Sequence, residues 1–233
     1  MEGSLPHGRS RSGALNLLAP EKAEAFILAN TAALAPPHVP ELTLHLADEA
    51  HELWLKTEDE LAEIGLPPPF WAFAWAGGQA LARYVLDNPG IVAGRRVLDV
   101  ATGSGLVAIA AARAGAAQVA ANDVDPFCAA AVLLNGRANG AAGVRFVGGD
   151  IVGTDDGWDV VLAGDVFYSK PMAEAFLGWF RTLAARGAQV LVGDPGRSYL
   201  PKAELEPLRT YQVPVTRDLE DAEVKKTTVW RLA

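Results

Sequence analysis

Three places along the chain carry residue types at spacings suited to ligand chemistry. Asp99 ends a short apolar run and is followed by the turn Ala101-Thr102-Gly103-Ser104-Gly105. Asp123 comes about 20 residues after that turn, where an acid of a nucleotide-binding unit holds a ribose diol. Its two oxygens accept from both hydroxyls at once. Asp165-Val166-Phe167-Tyr168 closes a later apolar run. In an open parallel sheet the carboxyl ends of the strands face the ligand crevice, so an acid with two aromatics at such an edge is a reaction-centre candidate.

The glycine turn narrows the ligand. Gly103 and Gly105 lack Cβ, so a ligand can approach the backbone closely. Residues 103–108 satisfy the G-x-G-x-x-[GA] dinucleotide fingerprint, which alone is weak evidence. A pyrophosphate belongs at the helix N-terminus beyond the turn, and the Asp99 carboxylate would repel it. A cofactor with an ammonium or sulfonium group would be attracted, and S-adenosylmethionine has both. The bland alternative is that Asp99 satisfies loop amides.

These residues need strands to hold them. Val97, Leu98 and Val100 give strand content before the turn, and the Ala-rich run from Val107 gives helix after it. Gln118–Asp123, Val144–Val147, Trp158–Gly164 and Gln189–Gly193 read as further strands, alternating with helices that carry Val132 to Leu134 and Trp179 to Leu183. Asp125-Pro126 caps the first of these helices. Asp150, after Gly148-Gly149, either reaches an adenine amino group or closes a plain turn. Thr210–Val215 and Thr227–Leu232 alternate as a closing hairpin. The order predicts a doubly wound, Rossmann-like α/β sheet.

Upstream, Pro20-Glu21 opens a helix through Leu28, prolines 36, 37 and 40 break the chain, and Glu41–Leu46 alternates like a half-buried strand. Leu53 to Leu55 lie in an acid-rich stretch ending near Gly65. We read 1–66 as a small appendage, either substrate-facing or a lid on the core, and 67–233 as the main domain. Phe70-Trp71-Ala72-Phe73-Ala74-Trp75-Ala76-Gly77-Gly78 precedes a helix that ends at Asn88-Pro89-Gly90. Its tryptophans are either a ligand wall or core. Its glycines mark a close backbone approach or a helix-start turn.

Composition sets limits. The 233 residues carry a formal charge of −8 and half are apolar. That balance argues against a nucleic-acid backbone as main partner, and no run reaches the ~20 apolar residues of a membrane span. A signal peptide's long apolar core is missing from residues 1–19. The lone Cys128 excludes an intramolecular disulfide and fits a reducing compartment; its apolar neighbours suit a buried helical thiol, not a nucleophile. The four histidines have no ligand spacing, so no metal site is expected.

With these pieces placed, the chain resembles the seven-strand S-adenosylmethionine-dependent methyltransferases. Phe70–Pro89, Gly164-Asp165-Val166-Phe167-Tyr168 (an Asp-x-x-Tyr), Gly193-Asp194-Pro195-Gly196-Arg197 and Thr227–Trp230 are similar to motifs of the electron transfer flavoprotein β-subunit lysine methyltransferases. Related ribosomal-protein lysine methyltransferases share the core, with a different opening segment and an Asn-x-x-x reaction loop. The resemblance implies a protein substrate, the flavoprotein β-subunit. It implies the bacterial cytoplasm or, in a eukaryote, the mitochondrial matrix. By the same resemblance Trp75 lines the cofactor pocket, Ala101, Thr102 and Gly103 follow its methionine portion, and Asp123 holds the ribose. Asp150 and Ile151 flank adenine, Gly164 sits against the reactive end, and Asp165 and Tyr168 serve the substrate amine. Ala101 departs from the family, standing where its first glycine falls.

The implied chemistry has a protonation problem. A lysine at its ordinary pKa of about 10.4 costs about 4.6 kcal/mol to deprotonate at pH 7. Desolvation lowers that pKa and a carboxylate raises it. We expect Asp165 to capture and orient the amine, its proton leaving to water, with Phe167 and Tyr168 walling the channel. Three other readings compete. An NAD-dependent oxidoreductase fits the glycine turn, but Asp99 opposes it and a Tyr-x-x-x-Lys or catalytic His is missing. A nucleic-acid or glutamine methyltransferase wants Asn/Asp-Pro-Pro-Tyr. A non-catalytic binding module with a relic cofactor site is the third.

Overall fold

Alternate residues of the central strands are apolar on both sides, the pattern of a parallel sheet covered on both faces. A computed structural model of the chain describes residues 19–47, 68–215 and 223–233, and builds that sheet. The elements in chain order are α1 (Pro20–Asn30), β1 (Ala32–Leu34), β2 (Leu44–Leu46), α2 (Ala76–Asp87), β3 (Arg96–Val100) and α3 (Leu106–Arg113). They continue with β4 (Gln118–Asp123), α4 (Phe127–Ala138), β5 (Arg145–Gly148), β6 (Val160–Gly164) and α5 (Lys170–Ala185). β7 (Gln189–Asp194), β8 (Leu205–Pro214) and β9 (Val224–Leu232) complete them, and short 3-10 turns lie at Phe70–Ala72, Pro89–Ile91 and Lys202–Glu204.

Seven strands pair in the order β5-β4-β3-β6-β7-β9-β8, parallel from β5 to β7 and antiparallel through the closing hairpin. The chain winds outward from β3 through β4 to β5, then returns to place β6 on the other side of β3. That reversal opens a crevice between the carboxyl ends of β3 and β6, where α/β sheets bind ligands. Asp99 and Asp165 stand at its two sides.

The two faces split by strand alternation. Val97, Val160, Leu162 and Leu191 join α2 and α3 in one buried cluster. Leu98, Val100, Val161, Ala163, Val190 and Val192 join the Trp179–Phe180 face of α5 in the other. Each fully buried aliphatic or aromatic side chain stabilises by about 1.5–3 kcal/mol. Residues 19–47 pack on the same body. Val39, Leu42 and Leu44 enter the α2–α3 cluster. Asn135 accepts the His45 amide at 2.7 Å, and Gln79 accepts the His38 amide at 3.0 Å.

Several expectations change. The strand read at Glu41–Leu46 shortens to Leu44–Leu46 and pairs with Ala32–Leu34, which the sequence reading did not foresee. β8 begins at Leu205, five residues earlier than expected; Pro207 sits at a register shift, as proline does on an edge strand. The acid-rich stretch around Leu53 to Leu55 lies outside the described residues.

Candidate functional site

A cavity of about 510 Å³ opens at the carboxyl ends of β3, β4 and β6, within the range of roughly 300–1,000 Å³ typical of small-molecule sites. Its wall gathers Trp75, Asp99, Ala101, Thr102, Gly103, Asp123, Asp150, Gly164, Asp165 and Tyr168. Gly105 and Ile151 are not on that wall. Gly105 is the residue before α3, at φ +83°, where a Cβ would meet Val132 Cγ2 at 3.1 Å. Ile151 packs on the α5 side of the sheet, and its neighbour Val152 takes the place on the wall.

The turn after β3 is held from inside. Asp99 is 1 % exposed, and its Oδ2 accepts from Thr102 Oγ1 at 2.5 Å and from the Ala108 amide at 3.0 Å. Burial pushes its carboxyl up to about 7, against the pull of those two donors. Asp99 therefore braces the loop and also faces the cavity. Ala101 takes a left-handed φ of +52°, a conformation that favours glycine. That costs about 1–2 kcal/mol for a residue with a Cβ.

Asp123 ends β4 with both oxygens engaged. Oδ2 accepts the Gly103 amide at 2.9 Å and Oδ1 accepts the Asp125 amide at 3.0 Å. A carboxylate has about four acceptor positions, so capacity toward a diol remains. Asp125 accepts the Phe127 amide at 2.9 Å, in the capping role expected; burial raises its pKa to about 6. Asp150 closes a turn by accepting the Val152 amide at 2.9 Å, and also borders the cavity.

The aromatic wall differs in part from expectation. Trp71 is both core and wall: it is 1 % exposed and stacked on Phe127 at 5.9 Å, and it also borders the cavity. Trp75 is the residue before α2, and its indole N–H donates to the Phe70 carbonyl at 3.0 Å. Phe167 does not wall a channel: it is wholly buried among α5 residues, because the loop turns its side chain back under the sheet. Phe70 stands in its stead, 5.8 Å from Trp75 and 6.4 Å from Tyr168 between ring centres. Tyr168 is half exposed, and burial followed by the Asp123 charge raises its phenol pKa, so it stays protonated. Cys128 reaches the cavity, but burial holds its thiol well above its ordinary pKa, as an inert thiol requires.

Asp165 adopts φ +57° and is 9 % exposed. Its Oδ2 accepts the Gly78 amide at 3.1 Å, and its Oδ1 accepts Arg197 Nε and Nη2 at 2.9 and 2.6 Å. Arg197 also lies over the Trp75 ring at 5.9 Å. In the sequence Arg197 stands only as the last residue of the Gly193–Arg197 motif, with no role assigned. The available signal was Asp194-Pro195-Gly196-Arg197, in which Asp194 Oδ1 accepts the amides of Gly196 and Arg197 and aims the arginine across the sheet edge.

Sheet order, crevice and glycine turn define a Rossmann-like nucleotide-cofactor fold. Residues 79–165 match the Ribosomal protein L11 methyltransferase family model. A ribosomal protein L11 methylase structure from Lactobacillus delbrueckii subsp. bulgaricus shares the fold at TM-score 0.50 and 22% identity, over 69% of this chain and 80% of that one. The nearer kinship is sharper. The chain is 38% identical to the electron transfer flavoprotein beta subunit lysine methyltransferase of Danio rerio over 88% of its own length and 81% of the relative's. It is 34% identical to the Homo sapiens protein of that name, over 94% and 84%. The chain belongs to the electron transfer flavoprotein β-subunit lysine methyltransferase family. S-adenosylmethionine is the family's cofactor, and the acids at the cavity suit its two cationic groups. Among the described residues no helix is long and apolar enough to cross a membrane.

Proposed function

We propose that this protein methylates lysine side chains of an electron transfer flavoprotein β-subunit, with Asp165 and Tyr168 receiving the amine. When bound, S-adenosylmethionine supplies an electrophilic methyl group on a sulfonium, which takes the amine lone pair as the carbon–sulfur bond breaks. Asp123 holds the ribose hydroxyls, and Trp75, Ala101, Thr102 and Gly103 enclose the methionine end. Asp99 adds negative potential there as it ionises. Asp150 and Val152 border the base end, with Ile151 packed beside them.

The observation that carries this reading is the position of Asp165. Its carboxylate lies on the wall of the cofactor-sized cavity, at the edge of the β3–β6 crevice, beside the half-exposed Tyr168. There it hydrogen-bonds and orients an amine entering between Phe70 and Tyr168, while the aromatic faces accompany the methylated cation. The amine proton leaves to water. Most of the acceleration comes from alignment of amine, methyl and sulfur, which the rigid strand ends provide. The chain's −8 charge suits a partner that presents lysines. The reaction belongs in the compartment of that flavoprotein, the cytoplasm of a bacterium or the matrix of a mitochondrion.

Incubation with methyl-labelled cofactor and a purified β-subunit tests the reading. Label is expected in lysines of the β-subunit. Label in RNA or ribosomal protein alone would contradict it.

A further inference from the structure

The turn after β7 sets a cation against Asp165. Arg197 reaches it across 32 positions of sequence and delivers two N–H groups to the single oxygen Oδ1, at 2.9 and 2.6 Å. The guanidinium lies over the Trp75 indole at 5.9 Å, and Asp194 Oδ1 fixes the Arg197 amide at 2.7 Å. Arg197 and Tyr168 border both the large cavity and an adjoining hollow of about 300 Å³, whose other walls include Ser198 and Lys225. The ion pair thus stands where cofactor cavity and outside surface meet.

We propose that Arg197 is a positioning residue that balances the charge of Asp165, so that the site takes lysine as a neutral amine instead of holding it as an ammonium. The inference rests on the reading that Asp165 receives the amine. A carboxylate without a counter-ion within about 4–6 Å stabilises an ammonium and raises its pKa by roughly 1–3 units. Such a site would bind lysine firmly in the unreactive state. Paired with Arg197, the same carboxylate presents little net charge to the amine. The planar guanidinium fork also fixes the direction of the carboxylate.

The charged groups around the pair make the balance matter. Asp99 is one residue from the end of β3, Asp123 ends β4, and Asp194 ends β7 with Oδ2 lacking a hydrogen-bond partner among the described residues. The Tyr168 phenol faces from the loop after β6. Lys225 on β9 borders the outer hollow, Lys202 acts on Asp194 from a distance, and the Gly78 amide faces from α2. Among the described residues, removing Arg197 leaves Lys202 and Lys225, both farther from the amine, as the named cations beside Asp99, Asp123, Asp165 and Asp194.

The test is the pH dependence of single-turnover methyl transfer to a purified flavoprotein β-subunit by the full chain at saturating cofactor. Arg197→Gln keeps a donor toward Oδ1 and removes the charge. Its rate is expected to fall about tenfold at pH 7 and recover at higher pH, the acid limb moving up by about one unit or more. Arg197→Lys keeps the charge, and its limb is expected to stay in place even if the rate drops. Calorimetric affinity for S-adenosylmethionine is expected to be unchanged in both. Arg197→Met replaces the Gln variant if that protein does not fold. An equal loss at every pH with the limb unmoved, an unchanged enzyme, or a parallel loss of cofactor affinity would overturn the proposal. Asp165→Asn separates the two layers: normal turnover in it defeats the underlying reading. An inactive Asp165→Asn beside an unmoved Arg197→Gln limb defeats this inference alone.

Discussion

A Cβ on Gly77 would lie 2.4 Å from Asp165 Oδ2 and 2.3 Å from the Gly193 carbonyl oxygen. The contact is reciprocal: a Cβ on Gly193 would lie 2.1 Å from the Gly77 carbonyl, and one on Gly164 would lie 2.9 Å from Gly78 Cα. The first turn of α2 therefore touches the ends of β6 and β7 backbone to backbone. This is how the chain holds Asp165 at a left-handed φ that costs a residue with a Cβ about 1–2 kcal/mol. The Gly78 amide and the Arg197 fork offset that cost.

The two adjacent glycines should consequently respond in opposite ways. Gly77→Ala pushes backbone and carboxylate apart, and overpacking of this kind costs about 1–3 kcal/mol or more. At Gly78 a Cβ meets Leu106 and Val107 at an ordinary 4.0 Å, and alanine gains up to about 1 kcal/mol in helix propensity. Urea unfolding of the two variants checks this. Equal stability for both would show that α2 does not clamp the strand ends.

Asp99 makes stability depend on pH. Its carboxyl titrates at about 7 in the fold and near 3.8 when unfolded. The raised value means that the folded protein binds the extra proton between those limits, so this group stabilises in acid and its contribution falls as pH rises from about 4 to 7. Asp99→Asn keeps an acceptor for Thr102 and Ala108 without the charge. Its melting temperature should decline less between pH 5 and 8 than that of the wild type. Parallel curves would show that Asp99 does not titrate in this range.

Asp123 should govern cofactor affinity. Hydrogen bonds to a charged group contribute about 1.5–3 kcal/mol each, so Asp123→Ala should weaken S-adenosylmethionine about 10-fold or more. Part of the loss comes from the Gly103 and Asp125 amides it releases. Calorimetry reads the affinity directly, and an unchanged value would place the ribose elsewhere.

What could be read from the sequence was what local chemistry dictates. The strand–turn–helix at Asp99 to Gly105, the acid at Asp123 and the acid after β6 are each specified within a few residues. Phe167 was misplaced because the direction of a side chain in a loop follows from the packing of α5, about ten residues on in sequence. The three-residue β1, rich in alanine, has no strand propensity of its own and exists through its pairing with β2. Ile151 and Val152 both pack against the α5-side cluster, and turn geometry decides that Val152 is the one that also meets the cavity. Arg197 could not be seen from its neighbours, since its role comes from a contact 32 residues away.

The central claim is that Asp165 handles the amine, and single-turnover methyl transfer by Asp165→Asn tests it most directly. Asparagine keeps the shape and the acceptor toward Gly78, but loses the charge that orients the amine and anchors Arg197. Transfer to the flavoprotein β-subunit should fall by about 10² or more, with S-adenosylmethionine affinity little changed and thermal stability lowered by loss of the Arg197 ion pair. A stably folded Asp165→Asn protein that transfers methyl groups at the wild-type rate would contradict the account.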